Sequence, residues 1–348
     1  MAEHGRGPLQ DRRAFLKVMA MLGVGGQALL YSRDVGAAVY AAKGGAEAAG
    51  WPEMRYRELG RTGFRGSRLI FGCGAALAGR PRDSLLDAAL DAGVNVFDSG
   101  TRRYYKDAES NLAPFLKRAR DRIFLISKAM VYLEVGPDEA ISSAQARQAA
   151  STWQELLEGS LRDLGVDHVD AYYLMAAHNP SIVGSEELYG AFQRAKKAGK
   201  VSHFGLSTHQ NAAKVLETAV RTGWYDLAQI AITPAGWYDW EDKGILAGSK
   251  PMTGLQPTLQ KARDSGLALI GMKAGRYLAG RKFFGWGNPK AFDTYYDPRL
   301  LKSDLSPFQR SYAFVLEHGL DAVNADMQSF AHLEQNVVAA ATAPRYFA

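Results

Sequence analysis

Three kinds of side chain end consecutive apolar runs early in the sequence, and together they can move a proton. The run Val94 to Asp98 delivers a carboxylate, the loop after it carries Tyr104 and Tyr105, and the run Ile123-Phe124-Leu125-Ile126-Ser127-Lys128 ends on a lysine. Short apolar stretches rich in β-branched and aromatic residues, stopping at a polar residue, read as buried parallel strands reaching the rim of a sheet. A polar residue after a strand is ordinarily just where the chain meets water, so each signal alone is weak. Asp, Tyr and Lys in succession are sharper. A lysine beside a phenol lowers its pKa, and an aspartate orients that lysine, giving a general acid for a carbonyl oxygen.

These groups can meet only if strands far apart in sequence converge at one end. Strand-like runs recur at Leu69 to Cys73, Val94 to Asp98, Ile123 to Ser127, Val169 to Met175, Val201 to Ser207, Leu227 to Ile232, Leu267 to Met272 and Ala322 to Asp326. Helical period fills most of the gaps: Leu85, Leu86, Ala89 and Leu90 share one face, as do Trp153, Leu156, Leu157, Ser160, Leu161 and Leu164. Gly93, Gly165, Gly199, Gly223, Gly266 and Gly319 fall where each helix should stop. Eight strands alternating with helices, with no break in composition, predict an α/β fold, a (β/α)8 TIM barrel. Its mouth would gather Asp98, Lys128, Met175, Ser207, Gln229 and Met272. A doubly wound sheet is the rival, but Gly72 to Gly79 makes a poor phosphate loop. Ahead of the barrel, Met54 to Gly63 reads as a β-hairpin. The segment Tyr277 to Pro307 has no period and carries Phe283, Phe284, Trp286, Phe292, Tyr295 and Tyr296. It reads either as a lid over the mouth or as a packed Ω-type excursion.

The chain has 348 residues, and its 47% hydrophobic content suffices for one large core. A net charge of +6, without Lys/Arg blocks interleaved with aromatics, argues against a nucleic-acid partner. The single cysteine, Cys73, excludes an intrachain disulfide and reads as a packed, inert thiol. The histidines lack metal-ligand spacing on strand ends, which disfavours a metal-dependent hydrolase and predicts no metal site. Residues 1–42 stand apart: Asp11-Arg12-Arg13-Ala14-Phe15-Leu16-Lys17 precedes a modest, Gly-containing apolar stretch and then Ala-rich sequence. This resembles a twin-arginine export signal, implying passage of a folded protein through the twin-arginine translocation machinery to the periplasm. A basic amphipathic helix or membrane anchor is the alternative, which would leave the protein cytoplasmic or membrane-held. Residues 43–53 read as a linker and 54–348 as the barrel.

Several passages resemble the aldo-keto reductase family. They are Arg57-Glu58-Leu59-Gly60-Arg61-Thr62-Gly63, Phe97-Asp98-Ser99-Gly100, Tyr105-Lys106-Asp107-Ala108-Glu109, Ser127-Lys128, Ser160 to Asp170, and Phe204-Gly205-Leu206-Ser207-Thr208-His209. The resemblance implies a barrel that binds NADP or NAD at its mouth and passes hydride to an aldehyde or ketone. By position, Asp98 orients Lys128, Lys128 lowers the tyrosine's pKa, and Tyr105 is the acid. The loop after Asp98 is two residues longer than usual, so Tyr104 is a rival. Ser207 and Gln229 would hold the nicotinamide carboxamide, Thr208, also counted with the cofactor site, sits where the family often has asparagine, and Gln335 and Asn336 would lie near the adenine.

Two departures from the family pattern stand out. Met175 occupies the place of a histidine that helps polarise the carbonyl, and a thioether cannot donate a hydrogen bond. His178, three residues on, is the candidate replacement, its plainer reading being an ordinary loop histidine. Where the family clamps a 2′-phosphate, this chain has Asp326, Met327 and His332. An aspartate repels that group, so Lys273 or Arg276 would have to compensate, and NADP versus NAD stays open. A catalytically degenerate barrel that binds a ligand is the alternative to an enzyme.

Overall fold

Alternation along the strands decides what occupies the centre of the fold. The computed structural model describes residues 50–279 and 287–342. The signal-like segment 1–42 and the aromatic stretch Phe283, Phe284 and Trp286 lie outside them. An antiparallel pair, β1 (Tyr56–Glu58) and β2 (Arg65–Ser67), comes first. There follow β3 (Leu69–Gly72), β4 (Val96–Asp98), β5 (Phe124–Met130), β6 (Val169–Met175), β7 (Val201–Thr208) and β8 (Leu227–Thr233). Beyond β8 the chain folds back as β9 (Gly236–Asp239) and β10 (Gly244–Ile245), then continues to β11 (Ala268–Met272) and β12 (Ala322–Asp326). β3 to β8, β11 and β12 pair in parallel, and the β7–β8 and β12–β3 pairings close the ring. The fold is a (β/α)8 TIM barrel with an N-terminal β-hairpin.

All eight expected barrel strands are present. β5 runs on past Ser127 to Met130, so Lys128 is an interior strand residue rather than a terminus. The β9–β10 arm carries no apolar run and was not expected. Ser142 and Gln145 form a capping box at the start of the helix Ser143–Leu164, and Gly165 ends it at φ 66°. The other five glycines expected at helix ends also have positive φ.

Residues alternate between two cores. Phe71, Phe97, Leu125, Leu174 and Leu206 face outward and pack with Phe115, Trp153 and Phe192 of the surrounding helices. Ile70, Val96, Ile126, Tyr173, Leu227 and Ile270 point inward and fill the lower barrel. Each such apolar side chain contributes roughly 1.5–3 kcal/mol by leaving water. The hairpin closes the barrel from below: Leu59 is fully buried against the inner cluster. Arg61 donates its backbone N–H to Gly266 O at 2.9 Å, and its guanidinium pairs with Asp226 at 2.9 Å. With the bottom plugged, the strand C-termini form the open end, where barrel chemistry is placed.

The described part of the Tyr277–Pro307 segment is packed. Phe292 and Tyr296 are buried in the outer core, and short helical turns cover Asp293–Tyr295 and Pro298–Leu301. Among the described residues, then, the segment is the packed excursion rather than a free lid.

Candidate active site

The inward row that fills the barrel continues upward and changes from apolar to polar. Gly72, Asp98, Lys128, Met175, Ser207, Gln229, Met272 and Asn324 share that parity and line a cavity of about 680 Å³ at the strand C-termini. At its floor the Lys128 ammonium donates to both Asp98 carboxylate oxygens, at 2.6 and 2.5 Å, with both side chains buried. The Asn324 amide donates to Asp98 and, at 3.1 Å, to Gln229 Oε1. Gln229 Nε2 in turn points at Met272 Sδ, 3.4 Å away. Burial pushes the Asp98 carboxyl up, while Lys128 and Asn324 oppose that shift. Asn324 was missed in the sequence. Its signal was parity, since it lies two residues before Asp326 on a strand whose alternate residues face inward.

Tyr105 ends the short helix Arg102–Tyr105 and reaches the cavity. Its ring is held between two glycines. An added Cβ at Gly74 would stand 2.5 Å from Cδ1, and one at Gly100 would stand 2.7 Å from Cδ2 on the other side. Lys128 Nζ lies 5.8 Å from the ring centroid. Tyr104 is 42% exposed and does not line the cavity, its ring standing edge-on to Tyr105 at 4.8 Å. The structure therefore brings Tyr105 to the Lys–Asp pair and leaves Tyr104 outside. One expectation is corrected. Burial, with the Asp98 carboxylate second, raises the Tyr105 pKa instead of lowering it. The reason is that Asp98 neutralises Lys128, so little net positive charge faces the phenol.

Of the expected cofactor residues, Ser207, Gln229, Lys273, Arg276, Gln335 and Asn336 line the cavity. Thr208 does not; it is fully buried on the outward face, where its hydroxyl donates to Gln210 O at 2.5 Å. His178 also lies off the cavity. Ala176 takes φ 55° and turns the chain away from the barrel, and His178 Nδ1 is 3.0 Å from Thr208 Oγ1. Burial lowers the His178 pKa. Two histidines line the cavity: His332, and His209, two residues past Ser207 on the same inward row. Beside it stands Trp240, carried at the end of β9, with ring centroids 4.8 Å apart.

Lys273 adopts φ 66°, a strained conformation for a residue with a side chain, just after β11. Burial and then Arg276 lower its pKa. Its ammonium sits 4.9 Å over the Trp240 ring, and among the described residues it makes no ion pair with a carboxylate. Asp326 is exposed on the cavity wall and accepts a hydrogen bond from Gln328 Nε2 at 2.9 Å, with His332 nearby. Met327 is fully buried and faces away. Cys73 is buried too, and burial pushes its thiol pKa well up, so it is inert near neutrality.

Comparison with known proteins agrees with this architecture. Residues 77–243 match the Aldo/keto reductase family. The chain is 29% identical over 164 residues to the uncharacterized oxidoreductase YrpG of Bacillus subtilis, covering 44% of this chain and 49% of that protein. It is 32% identical over 129 residues to a 6-dehydroglucose reductase of Agrobacterium fabrum, covering 35% and 41%. The matched region thus spans about half the length of these curated relatives, or less. A solved structure described as an aldo-keto reductase from Pseudomonas aeruginosa is similar, with TM-score 0.57 at 20% identity over 83% of this chain and 95% of that one. Such low identity speaks for the fold alone. Residues 77–243 are thus similar to the Aldo/keto reductase family, and they lie within a (β/α)8 barrel.

Proposed function

We propose that the protein is an NAD(P)-dependent oxidoreductase that reduces an aldehyde or ketone, or oxidises the matching alcohol. One observation carries the reading: a phenol clamped between Gly74 and Gly100 shares a cavity with the Lys128–Asp98 pair. The cavity's donors suit an extended nicotinamide dinucleotide. Ser207 and Gln229, in register on β7 and β8, offer a hydroxyl and an amide for a carboxamide. Lys273, without a carboxylate partner among the described residues, and Arg276 offer positive charge to phosphates. Gln335 and Asn336, on the helix Phe330–Thr342, would meet the adenine end.

A bound dinucleotide would supply the hydride. The chain's own groups do the rest. Tyr105 donates its proton to the carbonyl oxygen as negative charge develops there. Lys128, fixed by Asp98, keeps its ammonium 5.8 Å from the centroid of the phenol ring and offsets part of the charge left on the phenolate, the rest of its field being cancelled by Asp98. Run in reverse, the same phenolate takes the proton of an alcohol.

Asp326 on the cavity wall disfavours a 2′-phosphate, which makes NAD the better fit of the two cofactors. The alternative, a ligand-binding barrel without turnover, is favoured by Met175 at a cavity position that cannot donate a hydrogen bond. We also propose that residues 1–42 direct export of the folded protein.

The test is calorimetric titration of the purified protein with NADH and NADPH, followed by turnover of a panel of aldehydes and ketones. Cofactor binding with turnover lost in Tyr105→Phe supports the enzyme. Binding of neither cofactor, with no turnover of any carbonyl, would falsify it in favour of the binding protein.

A further inference from the structure

We propose that His209 is a second catalytic residue, donating a hydrogen bond to the substrate carbonyl oxygen alongside Tyr105. This rests on the carbonyl-reduction reading above. A carbonyl oxygen has two lone pairs, and the negative charge it gains is best stabilised by two donors. The cavity offers few that are free. Lys128 is occupied by Asp98, and Asn324 by Asp98 and Gln229. Met175 has no donor, and Ser207 stands in register with Gln229, deeper in the barrel.

His209 meets the requirement. β7 alternation sends Ser207 and His209 inward and Thr208 outward, and both inward residues line the cavity with Tyr105. On the neighbouring strand, Ala177 donates its backbone N–H to Ser207 O at 2.9 Å, which carries the ladder one step past Met175. Trp240 packs on the His209 ring at 4.8 Å and fixes its plane. Among the described residues, neither ring nitrogen has a hydrogen-bond partner. Burial, followed by the charges of Lys273 and Lys128, pushes its pKa down to about 3. The ring is therefore neutral near pH 7 and carries one N–H to donate.

In the step itself, the hydride's electron pair bonds to the carbonyl carbon and the C=O π pair moves to oxygen. That oxygen takes the Tyr105 proton, and His209 keeps its own. His178, bonded to Thr208 and standing edge-on to His209 with ring centroids 6.3 Å apart, does not reach the cavity and donates nothing to the substrate.

The experiment compares His209→Phe, His209→Asn, His178→Ala and Tyr105→Phe in the full-length protein, measuring kcat, KM and calorimetric cofactor Kd. Phenylalanine keeps the packing on Trp240 without a donor, and asparagine keeps an N–H donor. His209→Phe is expected to lower kcat about 100-fold. Its cofactor Kd should stay within about twofold of wild type. His209→Asn should recover part of the lost kcat, and His178→Ala should match wild type. Wild-type kcat in His209→Phe, with turnover abolished in Tyr105→Phe, overturns this assignment alone. So does a loss confined to cofactor Kd. A wild-type protein inert toward every carbonyl overturns the function and this assignment together.

Discussion

On the proposed function, Gly74→Ala should remove the carbonyl-reducing activity and leave the fold intact. Gly74 lies in the helix Cys73–Leu77, and a Cβ there would stand 2.5 Å from both Cδ1 and Cε1 of Tyr105. Carbon–carbon contact is comfortable only near ~3.5 Å, so the ring must give way by about 1 Å. It cannot shift sideways away from Gly74, because Gly100 lies beside the opposite edge of the ring, where an added Cβ would stand 2.7 Å from Cδ2. The ring must slide out of the slot, carrying its hydroxyl away from the carbonyl. A misplacement of this size costs about 10²-fold in rate.

Stability should fall by no more than about 2 kcal/mol. Gly74 is not at positive φ, and alanine gains about 1 kcal/mol over glycine inside a helix. Overpacking against the ring opposes this by about 1–3 kcal/mol. The assay is kcat and KM beside thermal unfolding, with Gly79→Ala as control, since a Cβ at Gly79 meets nothing within 4 Å. In a Tyr105→Phe background Gly74→Ala should add no further loss. A Gly74→Ala enzyme with wild-type kcat refutes the clamp and the identity of the acid with it.

Lys128→Met should lose activity and about 3–5 kcal/mol of stability in urea titrations, because it leaves Asp98 buried and unpaired. Adding Asp98→Asn should restore part of the stability and none of the turnover. Asp326→Asn should tighten NADPH binding at least about fivefold and leave NADH unchanged, as expected for removing a charge near a phosphate. If calorimetry finds NADPH affinity unmoved, Asp326 does not face that phosphate. The raised Tyr105 pKa predicts that carbonyl reduction shows no alkaline loss from phenol ionisation up to pH ~10. In the same direction, stability should fall above pH ~10, where the unfolded chain releases a phenolic proton that the native state retains. A kinetic limb near pH ~8 would mean that the Lys128 charge outweighs burial at the phenol.

The barrel was legible in the sequence because its evidence is redundant: eight apolar runs, glycines at helix ends and helical stripes between them all agree. The Asp98, Tyr and Lys128 set was legible for a related reason, as polar residues interrupting strand-like runs. Choosing between two tyrosines was not, since that depends on Gly74, distant in sequence, leaving space for one ring. Nor was the choice between histidines. A positive φ at Ala176 turns His178 out of the barrel, and nothing in an Ala-Ala-His sequence announces that turn. His209 was readable in principle by counting in twos from Ser207, but only once the strand was known to run through Thr208. Trp240 reaches the cavity on the β9–β10 arm, whose backbone pairing no apolar period reports.

The division of the cavity between strands bears on how the site can vary. The groups proposed for chemistry, Asp98, Tyr105, Lys128, Ser207, His209 and Gln229, all lie on β4 to β8 or their loops, inside the matched region 77–243. Those proposed to meet phosphates and adenine, Lys273, Arg276, Asp326, Gln335 and Asn336, lie on or after β11 and outside it. The two groups are linked by Asn324 on β12, which reaches both Asp98 and Gln229, and by Trp240, which lies between Lys273 and His209. Substitutions on the β11–β12 side can therefore alter which cofactor binds without moving the acid, provided Asn324 stays. Asp326 tests that separation, because it shares a strand with Asn324 two residues further out. If Asp326→Asn changes cofactor affinity and leaves kcat with saturating NADH untouched, the two sides are independent. If kcat falls as well, strand β12 couples them through the Asn324–Asp98 contact, and cofactor choice and proton transfer form one unit.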